Sequence, residues 1–211
     1  LFPQALLPLY IFEARYRRML SDVLHRDRVF CVALARPERR RESPCVVAGL
    51  GLVRVAVGHA DGTSHLILQR VARVRLGAVL RHKPYPIYSI SPLHVPTADS
   101  RAVDALVSKL HELVEQRMHQ GQLPFPLPLS QPACLAGAED AGVPAFSISD
   151  VLSYLRGVAD AGHLADLVSC ALLPQAPQRQ SVLEAVDVET RLRRLIKFLM
   201  AEIQRHPETS N

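Results

Sequence analysis

The sequence predicts an α+β fold: an antiparallel β half with one early helix, followed by a half built of helices. Three observations carry this. Between Val29 and Ile90 the apolar residues form short Val-rich runs or alternate with polar ones, which is the period of a strand. Beyond Pro92 and Pro96 that period lengthens to about 3.6 residues. Before both, Leu7 to Phe12 is an apolar extended segment that runs straight into a helix with Tyr16, Met19, Leu20, Val23 and Leu24 on one side. The prolines place the boundary, giving a β-domain over residues 1–96 and a helical bundle over 97–211.

In chain order, Val29 to Ala35 reads as a buried strand bounded by Asp27-Arg28 and Arg36-Pro37. Cys45 to Gly58 is a longer strand, with Gly49 and Gly51 marking a bulge or bend. Asp61-Gly62 supplies hairpin turn chemistry, since both residues tolerate positive φ. Leu66 and Leu68 lie on the returning strand, Val71 to Leu80 on another, and Tyr85 to Ile90 on the last.

In the second half, Asp99 or Ser100 caps a helix whose face is Val103, Leu106, Val107, Leu110, Leu113, Val114 and Met118. Gln122 to Pro132 holds four prolines and has no helical interior. Ser147 and Asp150 open a helix carrying Val151, Leu152, Leu155 and Val158. Gly162 separates it from Leu164–Leu173, which Pro174 ends. A short helix covers about Gln178 to Val186, and Asp187 caps the last, with Leu192, Leu195, Ile196, Leu199, Met200 and Ile203 on one face.

The 211 residues are 48% hydrophobic and 21% charged, an ordinary globular composition, and no apolar run reaches the ~18 residues of a membrane span. No succession of basic, apolar and small residues at the amino end marks a signal peptide. Cys31, Cys45, Cys134 and Cys170 form no Cys-x-x-Cys pair, and Cys31 and Cys45, on strand-like stretches, read as buried, reduced thiols of a cytoplasmic protein. The net charge is +5, yet only Lys83, Lys109 and Lys197 are lysines, so the basicity reads as an arginine bias in composition. Arg39-Arg40-Arg41 sits between Glu38 and Glu42 and reads as a solvated loop.

Leu1-Phe2-Pro3 followed by Leu7-Pro8-Leu9-Tyr10-Ile11-Phe12-Glu13-Ala14-Arg15-Tyr16 resembles the opening of the amino-terminal, substrate-binding domain of the Lon protease family. Tyr10 stands where that pattern has His, and Ala14 where it has Pro. Asp61-Gly62-Thr63 and Arg73-Val74-Arg75-Leu76 resemble its hairpin and its Gly-Arg-Phe-Arg-Ile strand, with Ala72 and Val74 near the Gly and Phe positions. Ala165-Asp166, Ala171-Leu172-Leu173, Gln178-Arg179-Gln180, Leu183-Glu184, Asp187 and Arg191-Leu192 resemble its closing helices. The resemblance implies a PUA-like β-barrel joined to a helical bundle. It also implies a strand upstream of Leu1, which is not Met. The implied function is a stand-alone, non-catalytic module that binds unfolded or hydrophobic polypeptide segments, with a protease or chaperone as a further partner and no cofactor.

The sequence carries neither a phosphate-binding loop nor a nucleophile-elbow motif. No Gly-Lys pair exists, so no Gly-x-x-x-x-Gly-Lys-Ser/Thr loop can cradle phosphates. Ser108 and Lys109 are helix neighbours pointing about 100° apart, poor geometry for a dyad. No Gly-x-Ser-x-Gly turn presents a nucleophile among the nine histidines. His59 with His65, and His163 with Asp166, lack the companions a metal needs. Glu13 and Arg15 read as a pair or cap where strand meets helix, and Tyr16 as core.

Surface is what remains. Phe125 and Leu127, in the proline-rich segment, are the candidate peptide-binding residues, the bland reading being that they cover a gap between the halves. Apolar surface on the β-domain, or a groove between the halves, would complete the site. The alternative is a PUA-like RNA-binding protein in which Arg54, Arg73, Arg75 and Arg81 form one basic face.

Overall fold

The computed structural model describes residues 6–36, 43–94, 100–120 and 147–205. The β half contains β1 (Leu6–Ile11), α1 (Ala14–Leu24), β2 (Val29–Val32), β3 (Val47–Gly58), β4 (Ser64–Arg81) and β5 (Ile87–Pro92). The helical half contains α2 (Ser100–His119), α3 (Ile148–Arg156), α4 (Ala161–Leu172), α5 (Ala176–Glu184) and α6 (Val188–Arg205). The α+β architecture and its order are as the sequence predicts.

The barrel is not closed. All strand pairs are antiparallel, in the order β1-β4-β3-β2, with β5 also on β4. The two strands expected around Leu66 and Val71–Leu80 are one 18-residue strand, β4. No Gly or Pro interrupts it between Gln69 and Ala72, so the ladder continues through a register shift opposite Leu50 and Gly51. β1 and β5 occupy successive stretches of the same β4 edge: β1 pairs with Ser64–Gln69, and β5 with Val74–Arg81. Neither reaches β2, and the sheet stays open. β5 begins at Ile87, two residues later than expected, because Pro84 and Pro86 have no N–H for the ladder.

Local chemistry explains the joints. Gly62 has φ +80° in the β3–β4 turn, where Thr63 donates its amide and hydroxyl to Asp61. At Gly51 a Cβ would collide with the side chain of Leu68, so the close packing of β3 on β4 requires glycine. Ser147 and Asp150 form a reciprocal capping box on α3, and Asp187 accepts from the Thr190 amide at the start of α6. Gly162 is not a separator: it is the second residue of α4, which Asp160 caps. A Cβ there would meet Arg191 Nη1 at 3.1 Å.

The apolar interior falls into two clusters. The small one, in the β half, is Leu20 of α1 with Val53, Leu66 and Leu68, onto which Leu7, Leu9 and Ile11 alternate from β1. The large one fills the bundle around Leu110, Leu164, Leu192, Leu195 and Leu199, and Val47 at the start of β3 belongs to it. The helical stripes follow the expected periods, except that Leu24 of α1 and Met200 of α6 are exposed.

Candidate functional site

A groove of about 830 Å³ lies on the open flank of the β half. α1 contributes Tyr16, Met19 and Val23, β2 contributes Phe30 and Cys31, and β5 contributes Ile87, Tyr88 and Ile90. Leu50 of β3 and Leu76 of β4 also line it. Among the described residues β2 pairs only with β3 and β5 only with β4, so both strands flanking the groove keep an edge without a strand partner.

Arg18, Asp22, Arg26, Asp27 and Arg81 bring charge to the same groove. The Tyr85 hydroxyl donates to Asp22 Oδ2 at 2.7 Å, Arg18 pairs with Asp22 Oδ1 at 3.4 Å, and Arg81 stacks over the Tyr85 ring. The Tyr85 hydrogen bond, with help from Arg18, holds the Asp22 carboxyl below its usual range, and the same bond raises the Tyr85 phenol. This clasp ties α1 to the loop before β5 and so sets the width of the groove. Burial pushes the Cys31 thiol up, which keeps it protonated and apolar in character.

A second feature joins the halves. Asp166 of α4 accepts from Arg73 Nη2 of β4, and Arg191 Nη1 of α6 stands 3.8 Å from the same carboxylate. All three residues are buried, as is Arg70. Burial pushes the Asp166 carboxyl up, while Arg73, Arg191 and Arg70 pull it down. Arg191 also donates to the carbonyls of Ala185 and Val186, and Gln180 donates to that of Val47 at 3.0 Å. Buried polar groups, not a groove, thus occupy the junction, and the groove described above lies within the β half.

The sequence-based site residues fare unevenly. Phe125 and Leu127 lie outside the described residues, as do Arg39-Arg40-Arg41 and Cys134. Arg54 is exposed at a β3 bulge, Arg75 is exposed, and Arg81 is exposed at the groove. Arg73 is only 7% exposed and committed to Asp166, which withdraws it from any basic outer face. Tyr16, read as core, is half-buried and lines the groove. Glu13 pairs with Arg15 at 2.9 Å and occupies the N-cap position of α1, where its side chain makes no capping hydrogen bond. Ser108 donates to the Asp104 carbonyl, and Lys109 pairs with Glu112 on the surface. His59 and His65 touch at 2.7 Å between ring nitrogens, although His65 is in register with Val57. No group of three or more metal-ligating side chains forms among the described residues. No helix among them is long and apolar enough to cross a membrane.

The domain is an open antiparallel sheet with a groove at its flank, fastened to a helical bundle by the buried Arg73–Asp166 pair. A family model for the "ATP-dependent protease La (LON) substrate-binding domain" matches residues 1–201, and the chain belongs to that family. The Lon protease of Desulfosudis oleivorans is 22% identical over 211 residues, covering 97% of this chain and 23% of the relative. That of Citrifermentans bemidjiense is 27% identical over 146 residues, covering 69% of this chain and 16% of the relative. The chain therefore spans less than a quarter of the length of these relatives, and the match is to the substrate-binding domain, not to the ATPase or protease domains. The N-terminal domain of a Mycobacterium avium complex Lon protease superposes with a TM-score of 0.65 at 17% identity, covering 95% of this chain and 92% of that one. A Lon N-terminal domain protein from Xanthomonas campestris gives 0.61 at 18%, with 94% and 92% covered.

Proposed function

We propose that this chain is a non-catalytic receptor for apolar, unfolded polypeptide segments, and that the groove flanked by α1, β2 and β5 is where they lie. The observation that carries the reading is the combination of apolar lining with two strand edges that have no strand partner. An extended segment laid along either edge gains main-chain hydrogen bonds that are indifferent to sequence, and it buries every second side chain against Phe30, Tyr88 and Ile90. That suits a module that must accept many different clients. Membership of a substrate-binding family supports the same reading. The outward face of the sheet, where Tyr10, Phe12 and Val57 are exposed, offers a second apolar surface, but it is not concave.

The division of labour follows the proposed boundary near residue 96, with the bundle as foundation and the sheet as receiving surface. The test is an array of short peptides spanning unfolded clients, probed with the purified chain. Binding should track apolar and aromatic content and change little between low and moderate salt. Binding that collapses with added salt and favours RNA over peptide would support the basic-face alternative instead. Uniform failure to retain apolar peptides would count against the proposal.

A further inference from the structure

We propose that the junction between sheet and bundle is a binding site for a small inorganic anion of chloride's size, held by Arg70 and Arg73. Arg70, Arg73 and Arg191 are buried around a single carboxylate, Asp166, so three positive charges face one negative charge. Arg191 is well supplied: it has three hydrogen bonds to carbonyls, and Asp160 and Asp187 act on it besides Asp166. The surplus is left with Arg70 and Arg73. Glu202, the other buried acid, is engaged by Gln178 and Arg205.

Hydrogen bonding points the same way. Arg70 is 2% exposed and donates only through Nε, to the Ala72 carbonyl at 3.0 Å. Its Nη1 and Nη2, and Nε of Arg73, are buried with no hydrogen-bond partner among the described residues. A buried guanidinium without a counter-charge is among the costliest arrangements a protein can hold. Proton loss does not relieve it. Burial, and then Arg73, lower the Arg70 pKa to about 9, which leaves the group charged at neutral pH.

The enclosure selects the ligand. A halide accepts N–H groups from any direction and asks for the space of one atom. A phosphate or a partner's carboxylate asks for more room around two arginines that are only 2% and 7% exposed. The anion would offset the surplus positive charge beside the Arg73–Asp166 pair, the ion pair of this cluster that crosses from sheet to bundle.

Thermal melts of the whole chain in sodium gluconate, with chloride substituted at constant ionic strength, test this. Chloride should raise Tm by about 3 °C and then saturate, as for a ligand that binds only the folded state. Arg70→Met should lose the dependence, and the exposed Arg54→Met should keep it. Line broadening of the chloride NMR signal by the unaltered protein gives a readout that needs no variant. Equal Tm in the two salts, a rise that never saturates, an unchanged response in Arg70→Met, or no broadening would each overturn the proposal.

Discussion

The two halves of this molecule solve the same burial problem to different degrees. In the bundle, α4 is buried along most of its length, and Leu110, Leu192, Leu195 and Leu199 have no exposed surface. Among the described residues of the β half, Leu20, Val53, Leu66 and Leu68 make a small buried cluster with Phe30 packed against it, and Tyr16, Phe30, Tyr88 and Ile90 line an open groove. A sheet whose free edges do not meet cannot cover its own flank. On the proposed reading the bundle is the foundation, and the sheet keeps apolar surface available to a partner. The contrast teaches that incomplete closure of a sheet leaves apolar surface uncovered even where the helices behind it bury theirs.

The sharpest way to break that contrast is at the fastener. Asp166→Ala leaves three buried guanidinium groups around no carboxylate and should cost about 3–5 kcal/mol in chemical denaturation. Within the bundle, Leu195→Ala empties a fully buried site and should cost about 2–5 kcal/mol by the same measurement. In the groove, Tyr88→Ala should change stability by less than about 1 kcal/mol yet weaken binding of an apolar peptide about tenfold in a fluorescence titration. Equal losses of stability at Leu195 and Tyr88 would erase the distinction between foundation and receiving surface.

Smaller effects sharpen it. The folded Asp22 carboxyl lies below its ordinary value of 3.8 because Tyr85 donates to it. Its contribution is therefore complete above that value and lost as pH falls through the depressed one. Melts of the native chain and of Asp22→Asn should differ near neutrality and converge in acid. Met200→Ser, on the exposed face of α6, should alter stability by no more than about 0.5 kcal/mol and leave peptide binding unchanged.

Much of the framework was legible in the residues. The stripes of α2 and α6 and the caps Ser147, Asp150 and Asp187 are local signals, read within a few positions. The single long β4 was missed because alternating runs look alike whether or not a turn divides them. Closure was unreadable for a different reason: it depends on which edges meet, and β1 and β5 share one edge of β4. Arg73 and Asp166 pair across 93 positions, and each alone looks like a solvated charge. The available signal was that Arg73, Asp166 and Arg191 all fell inside the motifs resembling the Lon family. The groove was invisible because a half-buried Tyr16 and a buried one leave the same helical period.

The most direct test of the central claim places a photo-crosslinking amino acid at Phe30, in the groove, and separately at Met200, on the outer face of the bundle, and illuminates each protein with an unfolded, reduced and alkylated client. Crosslinks at position 30 that an excess of apolar peptide suppresses, with little at position 200, are the predicted result. Equal yields at the two positions, or yield at 200 alone, would contradict the division into a closed foundation and an open receiving sheet.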